Sequence, residues 1–369
     1  MILTGLEAVN FKNIGEARLE LSPKANCFLG DNGMGKSNLL DAIYYLGIGK
    51  SFTGALDPML IRRGDDFTML RGTYLRKGIA EELTVGIRQG RRKSFRRGGK
   101  DYKRLSEHLG KFPLVLISPA DMDLVTGPAD ERRRFMDMII AQTDPRYLDM
   151  LIRYNRGLEQ RNKMLKSGVT DRELFLAIEA GMEISAEYIA AARRDWTALL
   201  TGIFGRYYRL ISGTDEQAAL AYTSHLLAPG TSLVDIFEQR RTRDAAVGYT
   251  TAGIHRDDIE MTLAAMPLRR TGSQGQIKTY TIALRLAQFE FIKKASAMTP
   301  LLLLDDIFDK LDAGRVGRIM DVVGSETFGQ IFITDTNRKH LDELLARAGE
   351  YAMWHVAGGS FEKISETSR

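Results

Sequence analysis

One segment, Gly30–Ser37, constrains the fold of this chain more than any other. It reads Gly-Asp-Asn-Gly-Met-Gly-Lys-Ser and fits the phosphate-binding pattern G-x-x-x-x-G-K-[ST]. The apolar run Cys27–Leu29 precedes it, and a helical pattern over Asn38–Gly47 follows it. A loop between a strand and a helix can direct backbone N–H groups and the positive end of the helix at phosphate oxygens. Taken alone, such a segment could also be an ordinary strand–helix turn.

The loop predicts a site for a nucleoside triphosphate, ATP, together with Mg²⁺. Lys36 is expected to hold the β- and γ-phosphates and to assist catalysis, while Ser37 is expected to ligate the metal. The expected nucleotide-binding residues are Gly30, Asp31, Asn32, Gly33, Met34, Gly35, Lys36, Ser37 and Asn38.

A second motif lies far along the chain, where the leucines at 301–304 are followed by Asp305 and Asp306. Such a run is typical of a central parallel strand, and ligands bind at the carboxyl ends of these strands. We expect Asp305 to bind Mg²⁺, directly or through water. Asp306 is the catalytic candidate that would orient or activate the attacking water. The alternative is that both acids end a strand and cap the next turn.

A third motif, Thr271–Gln276, immediately precedes an amphipathic helical pattern. It resembles the signature motif of the ABC-type ATPases, commonly L-S-G-G-Q, with Gln274 in place of one glycine. In those proteins the signature of one subunit covers the γ-phosphate bound to the other. The resemblance implies that Ser273 and Gly275 bind nucleotide across an ATP-dependent homodimer. On its own, this motif is more often a solvated turn.

Further segments resemble, in family order, motifs of the RecF family of bacterial recombinational repair. They are Asn10–Asn13 (N-F-K-N), Ser118–Pro128, Arg132–Asp137, Gln160–Lys166 (Q-R-N-K-M-L-K), Gly253–Asp258 (G-I-H-R-D-D) and Leu302–Phe308 (L-L-L-D-D-I-F). Together these matches cover most of the chain and are highly specific.

The resemblance implies a weak, DNA-stimulated ATPase that dimerises with ATP on single-stranded or linear double-stranded DNA at gaps. It also implies roles in DNA replication, recombinational repair and the SOS response. The implied partners are RecO and RecR, which a protein of this family helps to load RecA.

The chain departs from the related patterns at several positions. Ala120 replaces the usual acid of its segment, and Asp306 stands where ABC transporters carry glutamate. No histidine follows the strand pattern at Ile331, so Thr334 or Asp335 is the candidate γ-phosphate sensor. The shorter acid at 306 fits a slow switch better than a pump.

The predicted fold class is α/β: an ABC-type, SMC-like P-loop ATPase head with an inserted, mainly α-helical arm domain. Residues 1–120 and 245–369 are assigned to the head and residues 121–244 to the arm. Helical patterns dominate from Glu131 to about Ser212, with a break near 168–170. Asp171 is the expected N-cap of the second helix, and Arg193 is expected to lie off its apolar face.

A basic segment predicts the DNA contact. Gly98-Gly99 suggests a hairpin carrying basic side chains, which suits phosphate contact without base recognition. The candidates are Arg91, Arg92, Lys93, Arg96 and Arg97. A solvated basic loop is the alternative. Arg132–Arg134 form a second cluster, and the roles of His255, Arg256 and Asp258 are left open.

Composition sets the remaining bounds. The 369 residues carry a net charge of +5, compatible with an anionic partner, and a single cysteine, which excludes an intrachain disulfide. The N-terminus lacks a signal-peptide pattern and no apolar run approaches a membrane span, so we expect a cytoplasmic protein without membrane contact. Two other readings remain: a nucleotide-gated DNA clamp with negligible turnover, and an ABC transporter ATPase subunit, which the absent histidine disfavours.

Overall fold

The computed structural model describes residues 1–228, 230–309, 311–339, 341–342 and 349–367. The chain divides into two compact units. The first comprises Met1–Asp121, Leu210–Thr214 and Ile282–Arg369, and the second comprises Met122–Arg209 and Asp215–Thr281. None of the described helices combines the length and apolarity that a membrane-spanning segment requires.

The helices are α1 (Lys36–Ile48), α2 (Asp123–Thr126), α3 (Ala129–Thr143), α4 (Pro145–Lys166), α5 (Arg172–Ser212), α6 (Leu233–Val247), α7 (Leu268–Thr271), α8 (Gln274–Ser296) and α9 (Ala313–Val323). The strands are β1 (Ile2–Phe11), β2 (Ile14–Glu20), β3 (Ala25–Leu29), β4 (Phe67–Arg76), β5 (Ile79–Arg88), β6 (Ser94–Arg97), β7 (Lys100–Asp101), β8 (Leu114–Ile117), β9 (Ala218–Thr223), β10 (Asp258–Leu263), β11 (Met266–Pro267), β12 (Leu301–Asp305), β13 (Ile331–Asp335), β14 (Tyr351–Ala357) and β15 (Ser360–Thr367).

A largely parallel sheet of the first unit has the strand order β15-β14-β3-β13-β12-β8. Strands β14, β3, β13, β12 and β8 run parallel, and only β15 pairs antiparallel. Every residue of β12 and β13 is buried, as their unbroken apolar runs predict. The parallel strands place the residues after Leu29, Ile117, Leu304 and Ile333 at one edge of the sheet.

An antiparallel sheet of the same unit has the order β2-β1-β4-β5-β6-β7. Its strands alternate buried and more exposed residues, so one face is apolar. The buried face shares a continuous core with α1 and with residues of the parallel sheet, including Leu6, Leu39, Tyr74, Leu303 and Trp354. This core fixes α1, and therefore the loop before it, between the two sheets.

The second unit contains most of the predicted helical region. The sequence pattern from Glu131 onwards is helical as expected, but it divides at Asp144, which caps α4 by accepting from Tyr147 N. Asp171 is the N-cap of α5, as predicted, since its Oδ1 accepts from the amides of Glu173 and Leu174. Helix α5 has 41 residues and is therefore roughly 60 Å long at 1.5 Å per residue.

The division of the chain differs from the sequence prediction at its second boundary. The prediction assigns residues 245–281 to the ATPase head, yet in the structure Asp215–Thr281 belongs to the second unit. The reason is a three-stranded sheet, β11-β10-β9, in which β10 pairs with β9. Since β9 lies in the predicted arm and β10 lies beyond it, strand pairing carries both into one unit.

A buried ionic network holds helices of the second unit together. Arg161 of α4 is fully buried and donates to Glu179 Oε1 of α5 (2.8 Å), Asp244 Oδ2 of α6 (2.7 Å) and Thr250 Oγ1 (2.8 Å). Its guanidinium also lies 4.2 Å from the ring centre of Phe237. Planar geometry and permanent charge suit arginine to such a multiply bonded buried position.

Replacing this arginine should be strongly destabilising. In Arg161→Met the carboxylates of Glu179 and Asp244 stay buried without their main partner, so the free energy of unfolding should fall by about 3–5 kcal/mol. Lys163→Met is the matched control, because Lys163 lies on the same helix with its side chain 73% exposed; its effect should stay within about 0.5 kcal/mol. Urea unfolding followed by circular dichroism measures both, and equal midpoints would contradict the assignment.

Candidate functional site

The glycine-rich loop occupies the predicted place between β3 and α1. Gly33 and Gly35 have φ angles of +80° and +112°, a region that favours glycine and points successive N–H groups to one side. Lys36 begins α1 and is 6% exposed. Its Nζ donates to the carbonyl oxygens of Gly30 (2.6 Å) and Asp31 (2.9 Å). The ammonium group therefore lies over the loop, where an incoming phosphate would compete with these carbonyls for it.

Both sequence-predicted metal ligands meet at the edge of the parallel sheet. Ser37 Oγ donates to Asp305 Oδ1 at 2.8 Å, and Thr334 Oγ1 donates to the same oxygen at 2.7 Å. Burial raises the pKa of the Asp305 carboxyl, and the bonds from Thr334 and Ser37 oppose this. The adjacent Asp306 also raises this pKa, whereas Lys36 lowers it. A serine and a carboxylate on adjacent elements thus form a pair of hard oxygen donors.

Asp306 follows β12 with a φ of +47°, a left-handed conformation that aspartate tolerates better than bulkier residues do. Its backbone N–H donates to Thr334 Oγ1 (3.1 Å) and lies 3.3 Å from the Thr334 carbonyl oxygen. Thr334 thus fixes both acids, since its hydroxyl donates to Asp305 while its oxygen accepts from Asp306. The buried Asp335 accepts from Asn337 N at 2.8 Å. The catalytic and sensor roles of these residues remain predictions.

Sequence reasoning missed Asn13 as a member of this site. Asn13 Oδ1 accepts from Asn38 Nδ2 at 2.8 Å, so the predicted nucleotide ligand Asn38 is tied to the turn between β1 and β2. A Cβ atom added to Gly35 would lie 2.9 Å from Asn13 Oδ1. Asn13 was visible in the sequence only as part of the Asn-Phe-Lys-Asn segment, because nothing in its spacing places it beside a loop more than fifteen residues later.

The signature-like turn lies in the second unit and forms a reciprocal helix cap. Ser273 Oγ accepts from Gln276 N (3.2 Å), while Gln276 Oε1 accepts from Ser273 N (3.0 Å). This is the pattern of a capping box, with glutamine at the third helical position. Ser273 is exposed and Gly275 is half-buried at the N-terminal end of α8. The turn therefore presents a hydroxyl and a helix N-terminus at the protein surface.

The predicted basic hairpin is formed by β5, β6 and β7, but its cations are not equivalent. Lys93 pairs with Asp57 (3.1 Å) and donates to Gly49 O (2.8 Å), and Arg97 pairs with Glu81 (2.7 Å). Arg96 pairs with Asp101 at 3.2 Å. Arg91 and Arg92 are exposed. Two of the five predicted cations are thus largely committed to internal partners, because Glu81 of β5 faces Arg97 and Asp57, which lies outside the hairpin, faces Lys93.

The second basic cluster is engaged within the second unit. Arg132 is bidentate to Asp258, at 2.6 and 2.9 Å, and Arg133 donates to Asp257 O at 2.6 Å. Arg134 pairs with Glu131 at 2.7 Å. These contacts assign Arg132, Arg133 and Asp258 to packing of the unit, whereas Arg134 is exposed and pairs within its own helix.

His255 and Arg256 also have internal partners. His255 Nε2 donates to Thr250 O (3.0 Å), and its Nδ1 accepts from Tyr154 Oη (2.8 Å), which requires the neutral ring. Burial lowers the pKa of His255 to about 4. The guanidinium of Arg256 lies 5.5 Å from the ring centre of Tyr249. Both residues therefore help to fix the segment between α6 and β10.

Neutralising Asp305 should stabilise the nucleotide-free protein. In Asp305→Asn an amide oxygen can still accept from Ser37 and Thr334, while the cost of burying a charge is removed. A carboxyl whose pKa is raised by folding destabilises the fold once it ionises, so wild type should lose stability as pH rises through that pKa. The urea midpoint of the variant should therefore exceed that of wild type at about pH 8, with the gap closing towards about pH 4.

Glu16→Gln, whose side chain is 70% exposed, is the control and should show no such pH-dependent gap. A lower midpoint for Asp305→Asn at every pH would show that the ionised carboxylate stabilises the fold instead.

Sequence and structure both relate this chain to characterised proteins. The RecF/RecN/SMC N terminal domain family matches residues 2–353. The chain is 47% identical over 372 residues to the DNA replication and repair protein RecF of Bacteroides fragilis strain YCH46, covering 100% of both chains. It is 48% identical to the RecF protein of Phocaeicola vulgatus, covering 99% of both chains, and 46% identical to that of Porphyromonas gingivalis strain W83, covering 97% of this chain and 99% of the relative.

Solved structures give the same result. The recombination mediator protein RecF with ATP, of the RecFOR pathway, superposes with a TM-score of 0.88 at 25% identity, covering 99% of this chain and 98% of the other. An Smc head domain with an extended coiled coil, from Pyrococcus furiosus, has a TM-score of 0.60 at 19% identity, covering 100% and 96%, and thus shares the fold. The matches in sequence and structure place this chain in the RecF family of SMC-like, ABC-type ATPases.

Proposed function

We propose that this chain is a DNA-binding ATPase of replication and recombinational repair, which closes into a homodimer around ATP and reopens on hydrolysis. The observation that carries the proposal is the convergence of Ser37 and Asp305 beside the glycine-rich loop, in a member of a family that includes an ATP-bound structure. These residues come from opposite ends of the sequence. Their meeting at one sheet edge supports a shared ligand.

The residues at this edge fit a nucleotide with Mg²⁺. Lys36 and the amides of Gly30–Ser37 would hold the phosphates, and Asn38 would stay beside them through its bond to Asn13. Ser37 Oγ and Asp305 Oδ1, now 2.8 Å apart, would hold the metal, since Mg²⁺ prefers oxygen ligands and is usually shared with phosphates and water. Among the described residues, no group of three or more His, Cys, Asp or Glu side chains could hold a metal alone. The phosphates would therefore complete the site.

The Mg²⁺ would neutralise charge developing on the phosphates. The carboxylate of Asp306 would orient a water molecule, and its backbone is already fixed by two bonds to Thr334. Turnover is expected to be weak and stimulated by DNA, which suits a conformational switch.

The dimer would be completed by Ser273 and Gly275. Ser273 is exposed at the N-terminal end of α8, so its hydroxyl and the helix N-terminus could meet the γ-phosphate held by a second copy. Each ATP would then lie between two different walls, one from each protomer. ATP would favour the closed dimer because it contacts both walls only in that state.

Arg91 and Arg92 are the best supported DNA contacts among the five predicted cations, because they are exposed. Arg96 is also exposed but pairs with Asp101, and Lys93 and Arg97 would serve mainly to hold the hairpin. Contact with phosphates gives affinity without sequence preference, as a protein acting at gapped, single-stranded or duplex DNA requires. On this proposal RecO and RecR would be the protein partners, and the chain would help them to load RecA, with action in the cytoplasm and in the SOS response. The related ATP-bound structure belongs to the RecFOR pathway.

A second candidate is a nucleotide-gated DNA clamp with negligible turnover. It is favoured by the short side chain at Asp306 and by the engagement of the Thr334 hydroxyl with Asp305. Single-turnover hydrolysis with and without DNA separates the two, since a clamp would show no DNA-dependent rate.

Two substitutions should separate nucleotide binding from closure. Lys36→Met should abolish both ATP binding and ATP-dependent dimerisation, because the phosphates lose their main cation. Ser273→Arg should keep ATP binding but prevent dimerisation, because a bulky cation would occupy the place of the hydroxyl. Fluorescent-nucleotide titration measures binding, and light scattering with ATP measures the dimer. A Ser273→Arg protein that still dimerised, or a Lys36→Met protein with an unchanged dimer fraction, would refute the assigned roles.

The DNA assignment is tested by salt dependence. The double variant Arg91→Ala/Arg92→Ala should bind DNA with a weaker salt dependence. The slope of the logarithm of the DNA association constant against the logarithm of the salt concentration should become shallower by about 0.9 for each phosphate of duplex DNA that these arginines neutralise in wild type. Arg18→Ala is the control, because its side chain is 73% exposed on β2. Filter binding across a salt series gives the slopes. Equal slopes in wild type and the double variant would remove these arginines from the DNA surface.

A further inference from the structure

The turn between β14 and β15 bonds directly to the phosphate-binding loop. Gly359 N donates to Met34 O at 2.8 Å, and Gly358 N lies 3.4 Å from Met34 Sδ, which can accept weakly. Both glycines are left-handed, with φ angles of +82° and +54°. Met34 therefore receives both N–H groups of the turn, one on its backbone and one on its side chain.

The pairing of β14 with β3 brings this turn to the loop. The two strands run parallel, with Trp354 opposite Phe28 and His355 opposite Leu29. The rings of Phe28 and Trp354 stack at 6.5 Å. Directly after β3, a Cβ atom on Gly30 would collide with the Val356 carbonyl oxygen. The hairpin thus touches the loop at its first residue as well as at Met34.

A second turn, between β1 and β2, contacts the loop from another side. Its Asn13 side chain lies against Gly35 and accepts from Asn38. The two turns also touch each other, because a Cβ atom on Gly359 would collide with the Asn13 carbonyl oxygen. The β1–β2 turn is anchored to α1 by Lys12, whose Nζ lies 2.6 Å from Oδ2 of the fully buried Asp41.

We propose that these two turns form a clamp that presets the phosphate-binding loop, with Met34, Asn13 and Gly359 as positioning residues. A loop rich in glycine loses much conformational entropy when it is fixed around a ligand. Contacts that fix it beforehand reduce that loss and so increase affinity. The inference rests on the proposed nucleotide site and adds to it that the C-terminal hairpin sets nucleotide affinity without touching the nucleotide.

Gly359→Ala tests the clamp, with Gly78→Ala as the matched control. Gly78 lies in the β4–β5 hairpin with a φ of +78°, so alanine is strained to a similar degree there, but no atom lies within 4 Å of the added Cβ. In Gly359→Ala the new methyl group should push the turn away from Asn13 and Met34. Titration with a fluorescent ATP analogue should then give about tenfold weaker binding than in Gly78→Ala. The KM for ATP should rise while kcat at saturation changes little, as expected when the loop is no longer preorganised for binding.

Amide hydrogen exchange of residues 30–40 in the nucleotide-free protein gives a second readout. Exchange should be faster in Gly359→Ala than in Gly78→Ala at comparable urea midpoints. Met34→Ala, at a half-buried position, should also show faster exchange and weaker ATP binding than Gly78→Ala. It replaces Gly359→Ala as the test if that variant fails to fold. Equal exchange and equal ATP affinity in the clamp variants and the control would overturn the inference. Wild type that failed to bind ATP would instead defeat the proposed function, while the exchange comparison would still decide on the clamp.

Discussion

The hydrogen bond from Ser37 to Asp305 joins residues that are 268 positions apart, and the rest of the first unit is arranged to make it possible. It requires β3 and β12 to end at the same sheet edge, with β13 between them. It also requires α1 to begin directly after the glycine-rich loop, because the hydroxyl belongs to the second residue of the helix. The core shared by the two sheets holds α1 in that position.

This arrangement stores unfavourable energy in several forms at one place. Asp305 is a buried acid whose pKa is raised, Asp306 has a left-handed backbone, and the ammonium of Lys36 is nearly buried against carbonyl oxygens. Such features persist only where surrounding structure determines them, and they tend to cluster at functional sites. Thr334 holds both acids in place, because its hydroxyl donates to the Asp305 carboxylate and its oxygen accepts from the Asp306 backbone amide.

The sequence predicted the parts of the site that lie within continuous motifs. The strand before the loop, helix α1, the buried strand ending at Asp305 and the cap at Asp171 could all be read from local pattern. Interactions between distant segments could not be read in this way. Asn13 reaches Asn38 only through sheet pairing. The sequence pattern places Arg193 off the apolar face of α5, yet in the structure its side chain is buried and pairs with Asp137 and Asp257. A buried arginine is indistinguishable from an exposed one in a hydrophobic pattern.

Strand β9 shows the same limit for the fold. Its sequence, Ala-Ala-Leu-Ala-Tyr-Thr, has weak strand propensity, and only pairing with β10 makes it extended. The predicted arm boundary therefore differs from the boundary of the second compact unit. Helix α6 was also missed, although Ser232 caps it by accepting from Asp235 N. Strands β14 and β15 were not foreseen, since neither carries a motif.

The position of β3 has a consequence for the synthesis of the chain. β3 pairs with β13 on one side and with β14 on the other, and both of these strands lie beyond residue 330. A ribosome therefore completes the glycine-rich segment long before it releases the two neighbouring strands. Until then the nascent apolar strand lacks both of its partners, and an unpaired apolar strand is prone to aggregate. The sheet that positions the glycine-rich loop is thus completed long after the loop itself has been synthesised.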